Sequence, residues 1–276
     1  MNGRHGPPVH EKWYFTHNMI GPASLEKDLP CRLADPTNKA MTQSTASPAP
    51  PPSRCPGFLK NAEAWVFDLD NTLYPASSNL FAQIDERMRS YIADFLELEL
   101  SQAERLQKHY FRQYGTTLRG LMNRHGMEPR PFLDHVHAID LTPVAPDPVL
   151  AAALARLRGR KLIFTNATAD HAERVVARLG VGHHFDAVFD IAAAGYLPKP
   201  EPEVYKRLVK RHRLDPLRTV MIEDISRNLE PAAALGMTTV WVRSANPWAA
   251  EGAEGDHIHH VTDDMVAWLE ETSRQD

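Results

Sequence analysis

Residues 65–75 read Trp-Val-Phe-Asp-Leu-Asp-Asn-Thr-Leu-Tyr-Pro, an apolar run that stops at Asp68-Leu69-Asp70-Asn71-Thr72. Ala64 to Phe67 is short, apolar and β-prone, which predicts a strand buried on both faces of a parallel sheet. Two carboxylates one residue apart at its end repel, unless a cation or a chemical task rewards the pairing. Ligands of open α/β sheets bind at the carboxyl ends of the strands, so this pair marks a candidate site.

Working outward, strand-like runs at 161–164, 187–191, 219–223, 238–242 and 258–261 alternate with helical patterns at 169–179, 203–212, 229–235 and 264–270. Asp170 and Glu173 in a first turn, with Gly180 just past the end, bracket the first of these helices. The alternation predicts right-handed βαβ units and a Rossmann-like α/β core, a parallel sheet with helices on both faces. Residues 76–146 carry no strand signal. Leu80, Ile84, Met88, Tyr91, Ile92 and Phe95 recur every three or four residues as one helical stripe. Ser101 with Glu104 predicts a capping box for a helix over 102–114. An all-helical insert directly after the first strand reads as a lid. The expected division is a tail over 1–56, a core over 57–75 and 147–276, and a helical cap over 76–146.

The tail is set apart by Pro48, Pro50, Pro51, Pro52 and Pro56 among Ser, Thr and Ala, a composition that predicts disorder. Across 276 residues, 43% are hydrophobic and 24% charged, and the formal charge of -4 gives no reason to expect a nucleic-acid polymer or a membrane as partner. No apolar stretch reaches spanning length, and the first 18 residues lack a secretory pattern. Cys31 and Cys55 have no metal-site spacing, and the absence of a disulfide framework fits a reducing cytoplasm. His257, His259 and His260 scatter across the faces of a strand, and His183-His184 follows a helix; both groups read as structural.

Four polar features fall at or just beyond the ends of four predicted strands: Asp68-x-Asp70, Thr165-Asn166, Lys199 between Pro198 and Pro200, and Glu223-Asp224. Each alone is commonplace as a turn, a helix cap, a surface lysine or an acidic helix start. Parallel topology brings all four to one rim. Carboxylates plus waters suit Mg²⁺, while a hydroxyl, an ammonium and helix-start N–H groups suit a phosphate. One cation and one phosphate satisfy the whole set.

These stretches resemble the four motifs of the haloacid-dehalogenase superfamily. Asp68-x-Asp70-x-Thr72 resembles the first, Phe164-Thr165-Asn166-Ala167 the second, Lys199 the third, and Glu223-Asp224 with Asn228 the fourth. The match covers 64 to about 245, and the helical insert stands where the superfamily has its C1 cap. The resemblance implies a Mg²⁺-dependent phosphomonoester hydrolase working through an aspartyl-phosphate. Asp68 would be the nucleophile and Asp70 the general acid and base; the Asp68 carboxylate, the Asp70 carbonyl and Asp224 would hold the metal. Thr165, Asn166 and Lys199 would bind phosphate, with Glu223, Asn228 and Thr72 supporting them.

Asp70 speaks against the dehalogenases, which lack it. Tyr114-Gly115-Thr116-Thr117-Leu118-Arg119-Gly120-Leu121 and the Asn71-Thr72-Leu73-Tyr74 ending resemble the pyrimidine 5′-nucleotidase branch. That branch implies a nucleoside monophosphate substrate, met by Arg119, Thr116 or Thr117. A sugar-phosphate phosphatase, a phosphoglucomutase-like enzyme, or a non-catalytic scaffold with a partner-binding arm are the alternatives.

Overall fold

The structure, a computed structural model, describes Leu59 and residues 61–244 and 246–274; the tail expected over 1–56 lies outside them. Six strands, β1 (Ala64–Phe67), β2 (Arg160–Phe164), β3 (Ala187–Phe189), β4 (Thr219–Glu223), β5 (Thr238–Val242) and β6 (His260–Thr262), form one sheet. Their order is β3-β2-β1-β4-β5-β6, and every pairing is parallel. Phe67 aligns with Ile163 on one side and Ile222 on the other, so the residues after all three strands leave the sheet at one level. The chain runs from β1 out to β3 and then crosses back to β4. The strand order reverses at β1, which opens the crevice where such sheets take ligands.

Every side chain of β1 is buried, because its two faces lie in two different cores. Trp65 and Phe67 pack with Leu150 and Leu154 of α5 (Pro148–Arg156), Val175 of α6 (Ala169–Leu179), and Leu269 of α9 (Met265–Arg274). Ala64 and Val66 face Val204, Tyr205 and Leu208 of α7 (Pro202–His212) and Ala232 of α8 (Glu230–Leu235). Burial on both faces explains why the strand reads as an unbroken apolar run.

Between β1 and α5 the described chain is helical: α1 (Leu80–Leu96), α2 (Leu100–Tyr114), α3 (Thr117–His125) and α4 (Pro129–Val136). Ile84, Ile92, Tyr110, Leu121, Phe132 and Val136 give this insert an apolar core of its own. Gly120 is fixed by close packing, since a Cβ there would fall 2.4 Å from Tyr110 Cγ. The expected capping box on Ser101 and Glu104 is corrected. Glu99 caps α2, and its N–H donates to Gln102 Oε1 at 3.1 Å, so the helix starts two residues earlier. Several strand bounds also move, and two of them have a clear local cause. β3 stops at Phe189 because the Asp190 carboxylate accepts from the N–H groups of Ala169 and Ala193 and turns the chain. β6 begins at His260 because the Thr239 hydroxyl, rather than a main-chain group, bonds His257 O and the His259 N–H. Among the described residues, no helix is long and apolar enough to cross a membrane.

Candidate active site

The loop after β1 begins as a continuation of the sheet, with Asp68 N–H donating to Ile222 O at 2.9 Å. It then folds back over itself. Asn71 takes the left-handed conformation (φ 62°), which asparagine tolerates better than most non-glycine residues. This turn brings the Thr72 hydroxyl to donate to Asp68 Oδ2 at 2.9 Å.

Lys199 reaches the same carboxylate from the loop beyond β3, where Asn166 Oδ1 accepts its N–H at 2.8 Å. Its buried ammonium donates to Asp68 Oδ1 at 2.6 Å, Glu223 Oε1 at 2.8 Å and Phe164 O at 2.9 Å. Those are all three of its protons. Glu223 is saturated in turn. Oε1 also accepts from Asn228 Nδ2 at 2.6 Å, and Oε2 from the Ile225 N–H at 2.7 Å. Asp224 differs: its main-chain oxygen accepts from Trp241 Nε1 at 2.7 Å, but its buried Oδ2 has no hydrogen-bond partner among the described residues.

Three buried carboxylates therefore face one ammonium. Burial, then Glu223 and Asp70, push Asp68 up to about 7 against the pull of Lys199. Burial, Glu223 and Asp68 likewise hold Asp224 well above the usual carboxylate range. Burial weighs against the charge on Lys199, but Asp68 and Glu223 outweigh it and raise the ammonium. One oxygen from each of Asp68, Glu223 and Asp224 lies within 4.8 Å of the others. An excess of negative charge, a stranded carboxylate oxygen and an all-oxygen donor set fit a hard divalent cation.

Asp70 points the other way from this knot. Its Oδ1 accepts from the Tyr74 hydroxyl at 2.6 Å and lies 3.3 Å from His171 Nε2. Burial pushes its carboxyl up, but the hydrogen bonds from His171 and Tyr74 hold it below the usual value.

Above these groups lies a cavity of about 290 Å³ reached by Asp68, Asp70, Asn166, Lys199 and Asp224. Its walls are mostly apolar, with Met88, Phe111, Leu118 and Phe132 from the insert and Trp248 from the core. Thr116 and Thr117 also line it, but their hydroxyls serve the backbone, Thr116 accepting from Arg119 N–H at 3.2 Å and Thr117 donating to Gln107 O at 3.1 Å. Arg119 is not among the described residues that line the cavity. Thr165 sits beneath the floor, fully buried, its Oγ1 accepting from Ala167 N–H at 2.9 Å.

Of the residues singled out from the sequence, Asp68, Thr72, Lys199, Glu223, Asp224 and Asn228 come together, Asp70, Asn166, Thr116 and Thr117 line the cavity, and Arg119 does not; Tyr74, His171, Arg227 and Trp248 are not among them. His171 left a trace: it occupies the buried stripe His171, Val175, Val176 and Leu179 of α6, a polar residue on an apolar face. Arg227 and Trp248 left none, since loop packing alone brings them to the cavity. Arg227 has no ion-pair partner among the described residues, and its guanidinium lies 5.1 Å from the Phe111 ring.

The chain is 29% identical over 211 residues to a glyceraldehyde 3-phosphate phosphatase of Methanopyrus kandleri, a match covering 71% of the chain and 90% of that protein. It is 26% identical over 211 residues to phosphate metabolism protein 8 of Saccharomyces cerevisiae, covering 69% of the chain but only 62% of the yeast protein. The fold of CbbY from Rhodobacter sphaeroides, solved with xylulose 1,5-bisphosphate, superposes with a TM-score of 0.53 at 16% identity, over 74% of this chain and 95% of that one. A family model matches residues 62–236, and with it the chain belongs to the haloacid dehalogenase-like hydrolases.

Proposed function

We propose that the protein is a Mg²⁺-dependent phosphomonoester hydrolase working through an aspartyl-phosphate on Asp68. The observation that carries this reading is the buried knot of Asp68, Glu223 and Asp224 against Lys199, with Asp224 Oδ2 left without a hydrogen-bond partner among the described residues. Such an arrangement costs stability by itself and is relieved by a cation and a phosphoryl group together.

In the proposed reaction, an Asp68 carboxylate oxygen attacks phosphorus while Asp70 protonates the departing oxygen. Asp70 then takes a proton from water, which attacks phosphorus and releases phosphate from Asp68. Lys199 offsets charge on the transferring group, and Thr165, whose Oγ1 accepts from Ala167 N–H, keeps its own proton to donate. The main-chain N–H groups of Leu69 and Asn166 complete that cradle. The Asp68 carboxylate, the Asp70 carbonyl and Asp224 would hold Mg²⁺, which supplies neutralising charge at the phosphoryl oxygens. Glu223 and Asn228 fix the lysine, and Thr72 fixes the nucleophile. The helical insert acts as the cap over the leaving group.

For the leaving group, a pyrimidine nucleoside is the preferred reading. A flat base suits a wall of Phe111, Leu118, Phe132 and Trp248, and Arg227, which has no ion-pair partner among the described residues, offers donors to its ring oxygens. Sugar phosphates are the second reading, favoured by the archaeal relative named for glyceraldehyde 3-phosphate.

Phosphate release from UMP, CMP, AMP, glucose 6-phosphate and glyceraldehyde 3-phosphate, with Mg²⁺ and with EDTA, tests both levels. Metal-dependent release that vanishes in Asp68→Asn, fastest with UMP and CMP, is expected. Preference for sugar phosphates would overturn the nucleotide reading alone. Failure of the folded protein to release phosphate from any ester would overturn the enzymatic one.

A further inference from the structure

Asp70 has to deliver a proton to one face of the cavity, and a carboxylic acid has two oxygens on which to carry it. The surroundings of the two are unequal. Oδ1 receives the Tyr74 hydroxyl at 2.6 Å and faces His171 Nε2 at 3.3 Å. Tyr74 is 2% exposed and His171 fully buried, so neither partner exchanges with solvent water. Burial and the charge of Asp70 push the Tyr74 phenol well above its usual value, which keeps its proton in place as a donor.

His171 is itself held from two sides. Its ring stacks on His137 with centroids 4.6 Å apart and planes 19° from parallel. His137 Nδ1 lies 3.2 Å from the Thr168 hydroxyl, and its carbonyl accepts from Arg174 Nη2 at 2.7 Å. His171 Nδ1 is buried with no hydrogen-bond partner among the described residues. A bare lone pair there strands no donor, so the tautomer that suits the site carries its proton on Nε2, toward Asp70. Two donors then converge on Oδ1, and a proton placed on that oxygen would clash with both.

We propose that Tyr74 and His171 are positioning residues that reserve Asp70 Oδ1 as an acceptor, so that Oδ2 alone carries the transferred proton. The statement rests on the phosphatase reading above. In the first half-reaction the Asp68–phosphorus bond forms, the bond from phosphorus to the leaving oxygen breaks, and the Oδ2 proton moves to that oxygen. In the second, a water proton returns to Oδ2, the water oxygen bonds phosphorus, and the bond to Asp68 breaks. The acid form is restored in every cycle. His137, stacked on His171, fixes the plane in which Nε2 points.

A leaving group that needs no proton separates positioning from mere structural support. p-Nitrophenolate departs readily unprotonated, whereas the alkoxide of a nucleotide or sugar phosphate does not. The value of kcat/KM reports the steps through the departure of the leaving group. In Tyr74→Phe and His171→Leu, kcat/KM for the best alkyl phosphate is expected to fall roughly 10–100-fold, within the range of general-acid contributions. The value for p-nitrophenyl phosphate is expected to fall no more than about threefold, a limit set by the same contribution being unnecessary there. His171→Gln, which returns an N–H near the Nε2 position, should recover most of the difference. Equal losses on both substrates, or unchanged kinetics in Tyr74→Phe, an isosteric change that removes one oxygen, would overturn the proposal. Inactivity of the unaltered protein on both esters would instead overturn the phosphatase reading beneath it.

Discussion

The strand rim and the helical insert face each other across one cavity, and they are held by different forces. On the rim, the carboxylates of Asp68 and Glu223 and the ammonium of Lys199 are held by buried polar and charged partners, while Asp224 Oδ2 has no hydrogen-bond partner among the described residues. The insert contributes mostly apolar wall, held by packing of Tyr110, Leu121 and Phe132 in its own core. Charge pairing tolerates few residue types at fixed points. Apolar packing tolerates many, provided volume and shape are kept. The rim is therefore suited to a fixed chemistry and the insert to a variable leaving group.

Removing one partner from the rim should have the largest effect. Lys199→Met leaves Asp68 and Glu223 buried without their shared cation, for which a loss of about 3–5 kcal/mol is expected. In thermal melts this is a fall of roughly 10 °C for a chain of this size. A melt within two degrees of the unaltered protein would break the contrast between the two regions.

In the insert, Gly120→Ala places a Cβ against the Tyr110 ring, a clash that α2 and α3 can relieve only by moving apart. The expected cost is about 1–3 kcal/mol, with kcat/KM falling more for bulky esters than for small ones because the wall itself shifts. Uniform kinetics across substrates would detach the insert from selectivity.

A third effect runs in the opposite direction, and its size depends on pH. Asp68 stands at about 7 against 3.8 for an ordinary aspartate, chiefly through burial. The folded state thus holds this proton more tightly than the unfolded one. Between the two values a rise in pH costs stability, and the full cost is present above 7. Asp68→Asn carries no such charge. In EDTA it should melt above the unaltered protein at pH 8, with the gap closing toward pH 5. Mg²⁺ should cancel the gap by stabilising the unaltered protein. A gap that widens as the pH falls would contradict the assignment of burial as the dominant cause.

The same contrast decides what could be read from the chain alone. Asp68, Thr165, Glu223 and Asp224 stand at strand ends, so strand periodicity and parallel topology place them on one rim without any knowledge of packing. Lys199 needs only a short loop beyond β3. Tyr74 and His171 depend on how a reversing loop and the first turn of α6 face each other, which no periodicity encodes. Arg119 shows the converse: on α3 its position beside Thr116 and Thr117 is local, but it is absent from the described cavity lining, whereas Arg227, from a distant loop, is present. The capping shift from Ser101 to Glu99 has the same origin, because two overlapping patterns compete within one turn and tertiary packing chooses.

His137 has a further consequence, for movement. It ends α4 and opens the return to the core, and it is pinned by its ring on His171, by Thr168 and by Arg174. Farther along that return, Asp140 exchanges two hydrogen bonds with Gln83, and Ile139 packs against both apolar cores. The outgoing connection is different: Pro75, Ala76 and Ser77 are exposed, and the turn ends at Asn79 in a left-handed conformation. Of the two straps that join insert to core, one is riveted and the other slack. A widening of the cavity has to be taken up near 75–79 and swings the insert about His137, so the far edge, where Phe111 meets Trp248, travels farthest. Hydrogen exchange should then be fastest in the outgoing strap and slow at 137–140, making the side where His171 meets Asp70 the pivot and the edge where Phe111 meets Trp248 the door.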